Sequence, residues 1–174
     1  MDKPKPDNPI FEQLTETYLL ALCIWAEARN QGLEGMQAVG SVILNRASHP
    51  GWWGKDVKSI ILAPCQFSCF NADNPATPRN EEDPERAVLL KMADRFLDSM
   101  LRDSYLRAAV WVAAGLLGSP SIAMGWTGKY ITSNVGAATH YHTSAVAPDW
   151  KFNKNMKLVC RIKDHLFYEE VKIK

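Results

Sequence analysis

The chain has 174 residues, 47% of them hydrophobic, and its 20 Lys and Arg stand against 19 Asp and Glu for a formal net charge of +1. That length and apolar content give one domain with a real core and exclude a disordered chain, a collagen and a disulfide-dense mini-protein. The charge balance lacks the basic surplus that bulk electrostatic binding of nucleic acid requires.

No apolar run approaches the roughly 20 residues needed to cross a bilayer, so no stable membrane insertion is expected. The N-terminus, Met1-Asp2-Lys3-Pro4-Lys5-Pro6, lacks the apolar centre of a signal peptide. The expectation is a chain made in the cytoplasm, wherever it later acts. Its cysteines, Cys23, Cys65, Cys69 and Cys160, are then read as reduced. A zinc site on Cys65 and Cys69 would need two further ligands, and the histidines are far off in sequence. Residues 151–174 hold seven Lys and Arg against three Asp and Glu. This end reads either as a solvated tail or as a basic surface for an anionic cell envelope.

Residues 1–9 hold three prolines and no periodicity, which predicts a flexible arm; residues 10–174 form the single predicted domain. From Leu14 the pattern is helical, with Leu14, Tyr18, Ala21, Leu22 and Trp25 on one face. Leu19, Leu20, Cys23 and Ile24 widen the stripe to nearly the whole circumference, so this helix is expected at the centre of the domain, ending near Arg29 with Gly32 as the stop. A second helix is predicted from Glu34 to Arg46, with Gly40 admitting a neighbouring backbone. Val57 to Leu62 reads as a short helix, and residues 65–82 as a long loop. Asp83-Pro84-Glu85 is a strong start for a helix reaching Leu101. Asp103 or Ser104 caps another, which runs through Leu117 and stops at Gly118. In the last third, Leu158, Cys160 and Ile162 alternate as a strand would, and Phe167 to Ile173 is expected to pair with them as a hairpin. The predicted class is α+β, mostly helical, with a small antiparallel β element in the C-terminal third.

Glu27 stands out because it follows the largely apolar run Leu19 to Ala26. A desolvated carboxyl group favours its neutral form, and a neutral acid near pH 7 can donate a proton to a leaving oxygen. The alternative is that Glu27 marks the solvent end of the helix. Glu34 sits where the second helix begins and is read as a partner of the helix dipole. His140 and His142 could supply two metal ligands, with Asp149 or His165 as a third, but the usual zinc-hydrolase spacing is absent. No nucleophile elbow is present. Gln66-Phe67-Ser68 suits a sugar-binding wall or a turn anchored on one core ring. Of six tryptophans, Trp52, Trp53, Trp126 and Trp150 fall in predicted loops, where a ring can stack on a sugar face; Trp25 and Trp111 are expected in the core.

Trp25-Ala26-Glu27-Ala28-Arg29, Glu34-Gly35-Met36-Gln37-Ala38-Val39-Gly40 and Val42-Ile43-Leu44-Asn45-Arg46 together resemble the cell-wall hydrolase family of the spore-cortex-lytic enzymes. Gln66-Phe67-Ser68, Tyr141, Pro148-x-Trp150 and His165-x-Phe167-Tyr168 follow in the same order. The resemblance implies a lysozyme-like helical core. It also implies cleavage of the β-1,4 bond between N-acetylmuramic acid and N-acetylglucosamine in peptidoglycan, as lytic transglycosylases do. It makes Glu27 the catalytic acid and assigns Gln66, Ser68, Tyr141 and Trp150 to the glycan, with no metal and no cofactor. The chain departs from the family at Asn30-Gln31-Gly32, where an acid often stands. A version without a leader or wall-binding domain looks like a phage endolysin, acting on the wall after release. The partner implied is the peptidoglycan glycan strand, and the protein is expected to be monomeric. Asp73 and Asp149 are the loop candidates for a second carboxylate. A hydrolysing muramidase, a zinc amidase or peptidase on His140 and His142, and a non-catalytic wall-binding module are the competing expectations.

Overall fold

The computed structural model describes residues 9–71, 83–118 and 131–171. Most of the expected N-terminal arm, the greater part of the 65–82 loop, Asp73 and Trp126 lie outside those residues. Pro9, read as the end of the arm, instead opens helix α1 (Pro9–Gln13), which buries Phe11.

Helix α2 (Glu16–Ala28) starts where Thr15 accepts a hydrogen bond from the backbone N–H of Tyr18 at 3.3 Å. It buries every residue from Leu19 to Trp25, as a helix apolar on all sides must. Helices α3 (Gly32–Ser48) and α7 (Ser104–Leu117) pack against it. Gly32 does not stop α2; with φ +68° it is the first residue of α3, so only Arg29, Asn30 and Gln31 join the two helices. Gly40 is crowded by side chains rather than backbone: a Cβ there would lie 2.5 Å from Leu116 Cδ1 and 2.9 Å from Ile24 Cδ1. It marks where α3 fits between α2 and α7.

Helix α4 (Val57–Ile61) is opened by a reciprocal cap between Asp56 and Ser59. The single helix expected over 84–101 is two, α5 (Pro84–Asp94) and α6 (Phe96–Arg102), because Arg95 leaves helical geometry at φ −128°, ψ 54°. The break lets Phe96 stack on Tyr18 of α2, with ring centroids 4.2 Å apart. The buried stripe along the two helices is Leu89, Ala93, Phe96 and Met100, and Val88 is exposed. Asp103 caps α7, and Gly118 ends it in the left-handed region. Trp111, expected in the core, is 40% exposed on this helix.

Three antiparallel strands complete the fold, β1 (His140–Thr143), β2 (Met156–Ile162) and β3 (His165–Glu170), in the order β1-β3-β2. The second strand of the hairpin begins two residues earlier than expected, at His165, and Ile173 lies outside the described residues. Leu158 is opposite Tyr168 and Cys160 is opposite Phe167, so Val159 is an extra residue in a β-bulge. The bulge turns Leu158 to the outer face, 50% exposed, where strict alternation put it inward. On the inner face, Phe167 and Ile162 pack with Ala38 and Val42 of α3 and with Val135 and Ala138. The architecture is the mostly helical α+β class expected, with the sheet laid against α3.

Candidate active site

Glu27 lies in the last turn of α2, half-buried, where the all-apolar helix meets the sheet. The register Tyr141↔Phe167 points Tyr141 to the inner face of β1, toward the helices. Its phenol donates a hydrogen bond to Glu27 Oε2 at 2.8 Å. The ring is held by Phe167, at 5.7 Å between centroids, and by the edge of His165 at 5.3 Å.

Burial pushes the Glu27 carboxyl group above the ordinary carboxylate range; the Tyr141 hydrogen bond opposes it, the nearby acids Glu85 and Asp83 reinforce it, and Arg46 opposes it. The net direction is upward, toward a neutral acid. Burial and the same carboxylate push Tyr141 well up as well, so its proton stays on oxygen. The neighbouring thiols Cys69 and Cys23 are also raised, chiefly by burial, and remain thiols.

Arg46 projects from the last turn of α3. Its Nε donates to Thr139 O at 2.7 Å and its Nη1 to Gln66 Oε1 at 2.9 Å. Gln66 is thereby tied through a buried cation to Thr139, two residues before Tyr141. Ser68 faces α5: its hydroxyl donates to Asp83 Oδ2 at 2.5 Å, while Asp83 Oδ1 accepts the Glu85 backbone N–H at 2.9 Å as the cap of α5. Glu85 is paired with Arg29, whose guanidinium lies 4.4 Å from the centroid of the Trp25 ring.

Trp150 is placed differently. It sits with His140, His142 and Tyr168, centroids 5.0, 5.7 and 5.5 Å away, on the outer face of the sheet. Glu27 and Tyr141 meet on the inner one. Trp53, expected as an exposed plate, is 7% exposed; its indole N–H reaches Arg46 O at 3.1 Å and His49 O at 3.2 Å. Its neighbour Trp52 is 76% exposed. The metal set does not assemble. His142 has Nδ1 2.7 Å from Thr143 O and Nε2 3.3 Å from the Tyr168 hydroxyl, while His165 packs against Tyr141 on the inner face. Among the described residues no group of three or more His, Cys, Asp or Glu could hold an ion. Asp149 is exposed in the short turn Asp149–Phe152, and Glu34 is exposed in the first turn of α3.

Residue order alone assigns no role in the site to Arg46, Asp83, Glu85 or Arg29. Arg29 and Arg46 stand within the family-like blocks, and Asp83 and Glu85 are legible only as a helix start.

A family model described as Cell Wall Hydrolase matches residues 30–168, beginning three positions after Glu27. Two solved structures are similar. One is the catalytic domain of the germination-specific lytic transglycosylase SleB from Bacillus anthracis, with a TM-score of 0.51, 17% identity, and coverage of 91% of this chain and 98% of that one. The other is the catalytic domain of the Bacillus cereus SleB protein, with a TM-score of 0.51, 18% identity, and coverage of 88% and 89%. At this identity the likeness is one of fold. No curated protein matches the chain.

Proposed function

The chain belongs to the cell wall hydrolase family and is a peptidoglycan-degrading enzyme; on that premise we propose that it is a lytic transglycosylase that cuts the β-1,4 bond between N-acetylmuramic acid and N-acetylglucosamine, with Glu27 as its general acid. The observation that carries this reading is the desolvated carboxyl group of Glu27, raised above its ordinary range and held by the Tyr141 phenol at 2.8 Å.

With Oε2 occupied by Tyr141, Oε1 carries the acidic proton. Glu27 gives that proton to the glycosidic oxygen as the bond from muramic C1 breaks. The acetamido oxygen of the substrate shields the cationic centre. The muramic 6-hydroxyl oxygen then bonds to C1, and Glu27, now a carboxylate, takes the hydroxyl proton. The products are a free GlcNAc 4-hydroxyl and a 1,6-anhydromuramic end, and Glu27 is neutral again. An internal nucleophile supplies a high effective concentration with no positioned water.

Two-carboxylate glycosidases instead hold a second acid roughly 5–9.5 Å from the first. Among the described residues, the acids whose charge reaches Glu27 are already engaged: Asp83 accepts from Ser68 and from the Glu85 backbone, and Glu85 is paired with Arg29. This favours the internal nucleophile over an activated water. Gln66 and Ser68, anchored by Arg46 and Asp83, suit sugar contacts beside the cut bond; Trp150 suits a more distant ring.

The test is the turbidity of purified sacculi, followed by mass spectrometry of the digest. Wild type is expected to clear the suspension and leave 1,6-anhydromuramic ends. Glu27→Gln is expected to fold and lose about 10²–10⁴ in rate, the range of a general acid. Reducing ends would make the enzyme a hydrolysing muramidase. Undiminished clearing by Glu27→Gln would remove the acid assignment.

A further inference from the structure

Arg46 is 8% exposed, and no carboxylate among the described residues pairs with it. An arginine does not shed its proton inside a protein, so among the described residues this is a buried positive charge with no anion against it. The surroundings fix it closely. Nε and Nη1 are bonded to Thr139 O and Gln66 Oε1, the guanidinium lies 5.9 and 6.0 Å from the ring centroids of Trp53 and Phe67, and Trp53 caps the Arg46 carbonyl. Thr139 precedes Tyr141 by two residues, so the bond to its carbonyl ties the cation to the strand that carries the phenol.

We propose that Arg46 is a positioning residue for glycan cleavage: its fixed charge is the waiting counterpart of the carboxylate that Glu27 becomes when its proton leaves. The inference rests on the reading of Glu27 as the acid. Before transfer, Glu27 is neutral and Arg46 is unbalanced. After transfer, the new anion forms on the carboxyl group bonded to Tyr141, two residues beyond the Thr139 carbonyl that holds the cation at 2.7 Å, and the cation favours it. The interaction therefore grows as the reaction proceeds, and an interaction stronger in the transition state than in the ground state raises the rate. Among the described residues, the charged and titratable groups that interact with Glu27 are Tyr141 from β1, Asp83 at the cap of α5 and Glu85 in its first turn, Cys69 from the Ser68–Phe70 turn, Cys23 from its own helix, and Arg46 from α3. Of these only Arg46 is positive. The two acids of α5 resist ionisation of Glu27, and Arg46 favours it.

The experiment compares full-length wild type, Arg46→Gln and Arg46→Lys by two readouts. One is the pH profile of kcat on soluble glycan strands; the other is a carbon-13 NMR titration of the Glu27 carboxyl group, which needs no turnover. Arg46→Gln is expected to move the alkaline limb and the NMR midpoint to higher pH, lowering kcat about 10-fold or more with KM nearly unchanged. Arg46→Lys is expected to stay closer to wild type on both. A limb and midpoint that remain in place in Arg46→Gln overturn the proposal. Should Arg46→Gln fail to fold, Arg46→Met takes its place: a limb and midpoint moved to higher pH support the proposal, and a limb and midpoint that stay in place overturn it. Wild type that cuts no glycan would defeat the proposed function, while the NMR titration would still report on the Arg46–Glu27 interaction.

Discussion

Tyr141 on strand β1 and Glu27 on helix α2, 114 positions apart in the chain, meet through a 2.8 Å hydrogen bond in which the phenol donates. The bond favours the ionised carboxylate, and burial favours the neutral acid. Because the Tyr141 proton is itself held tightly, the phenol remains a donor throughout the working range. Tyr141→Phe keeps the ring between Phe167 and His165 but removes the donor. The expected result is a fall in kcat of roughly 10-fold, the scale of one lost hydrogen bond to a charged group. The alkaline limb of the pH–rate profile should also move upward, because one of the two influences lowering the Glu27 pKa is gone. An unchanged profile would mean that the phenol has no bearing on the proton of Glu27.

The raised pKa of Glu27 also bears on stability. A carboxyl group that binds its proton more tightly in the folded than in the unfolded chain stabilises the fold fully below the ordinary value of 4.5. That contribution is lost as pH rises through the higher folded value. Glutamine cannot ionise and suffers no such loss. Glu27→Gln should therefore melt close to wild type at pH 4 and above it at pH 8. Calorimetric scans at the two pH values check this; a gap that is the same at both would show that burial does not hold the carboxyl group neutral.

Local signals made much of the fold legible. The run Leu19 to Trp25 announced the central helix, Asp83-Pro84 the start of α5, and Gly118 the end of α7. Tertiary contacts hid the rest. The break at Arg95 follows from Phe96 reaching Tyr18, and the bulge at Val159 follows from strand pairing. Trp52 and Trp53 are adjacent and equally apolar, yet the turn closed by Gly51 and Gly54 exposes one and buries the other. In the site, a lone acid after an apolar run was visible from residue order, whereas Tyr141 entered through the family resemblance. The bonds Arg46–Gln66, Ser68–Asp83 and Arg29–Glu85 span 20, 15 and 56 positions, which helix or strand periodicity does not reach.

Gly40 tests the packing of the three central helices. Alanine is favoured over glycine in a helix interior by about 1 kcal/mol. Here its methyl group would lie 2.5 Å from Leu116 Cδ1 and 2.9 Å from Ile24 Cδ1, far inside van der Waals contact. Overpacking of this kind costs about 1–3 kcal/mol and outweighs the propensity gain. Gly40→Ala is expected to lower the denaturant midpoint with the slope unchanged. A higher midpoint would show that Leu116 and Ile24 make room without strain.

The competing enzyme class, a zinc amidase or peptidase, would place its metal on His140 and His142. The ring nitrogens of His142 are already occupied, by the Thr143 carbonyl at 2.7 Å and the Tyr168 hydroxyl at 3.3 Å. His165, offered as a third ligand, packs beside Tyr141 on the inner face, whereas His140 and His142 point outward with Trp150. Asp149, the other third ligand offered, is exposed in the Asp149–Phe152 turn, and among the described residues no group of three or more His, Cys, Asp or Glu could hold one ion. Clearing of sacculi is therefore expected to survive prolonged treatment with EDTA, with no gain on adding zinc, and His142→Ala is expected to lower stability before it lowers turnover. Loss of activity to the chelator and its return with zinc would place the chemistry on the histidines and leave Glu27 a bystander.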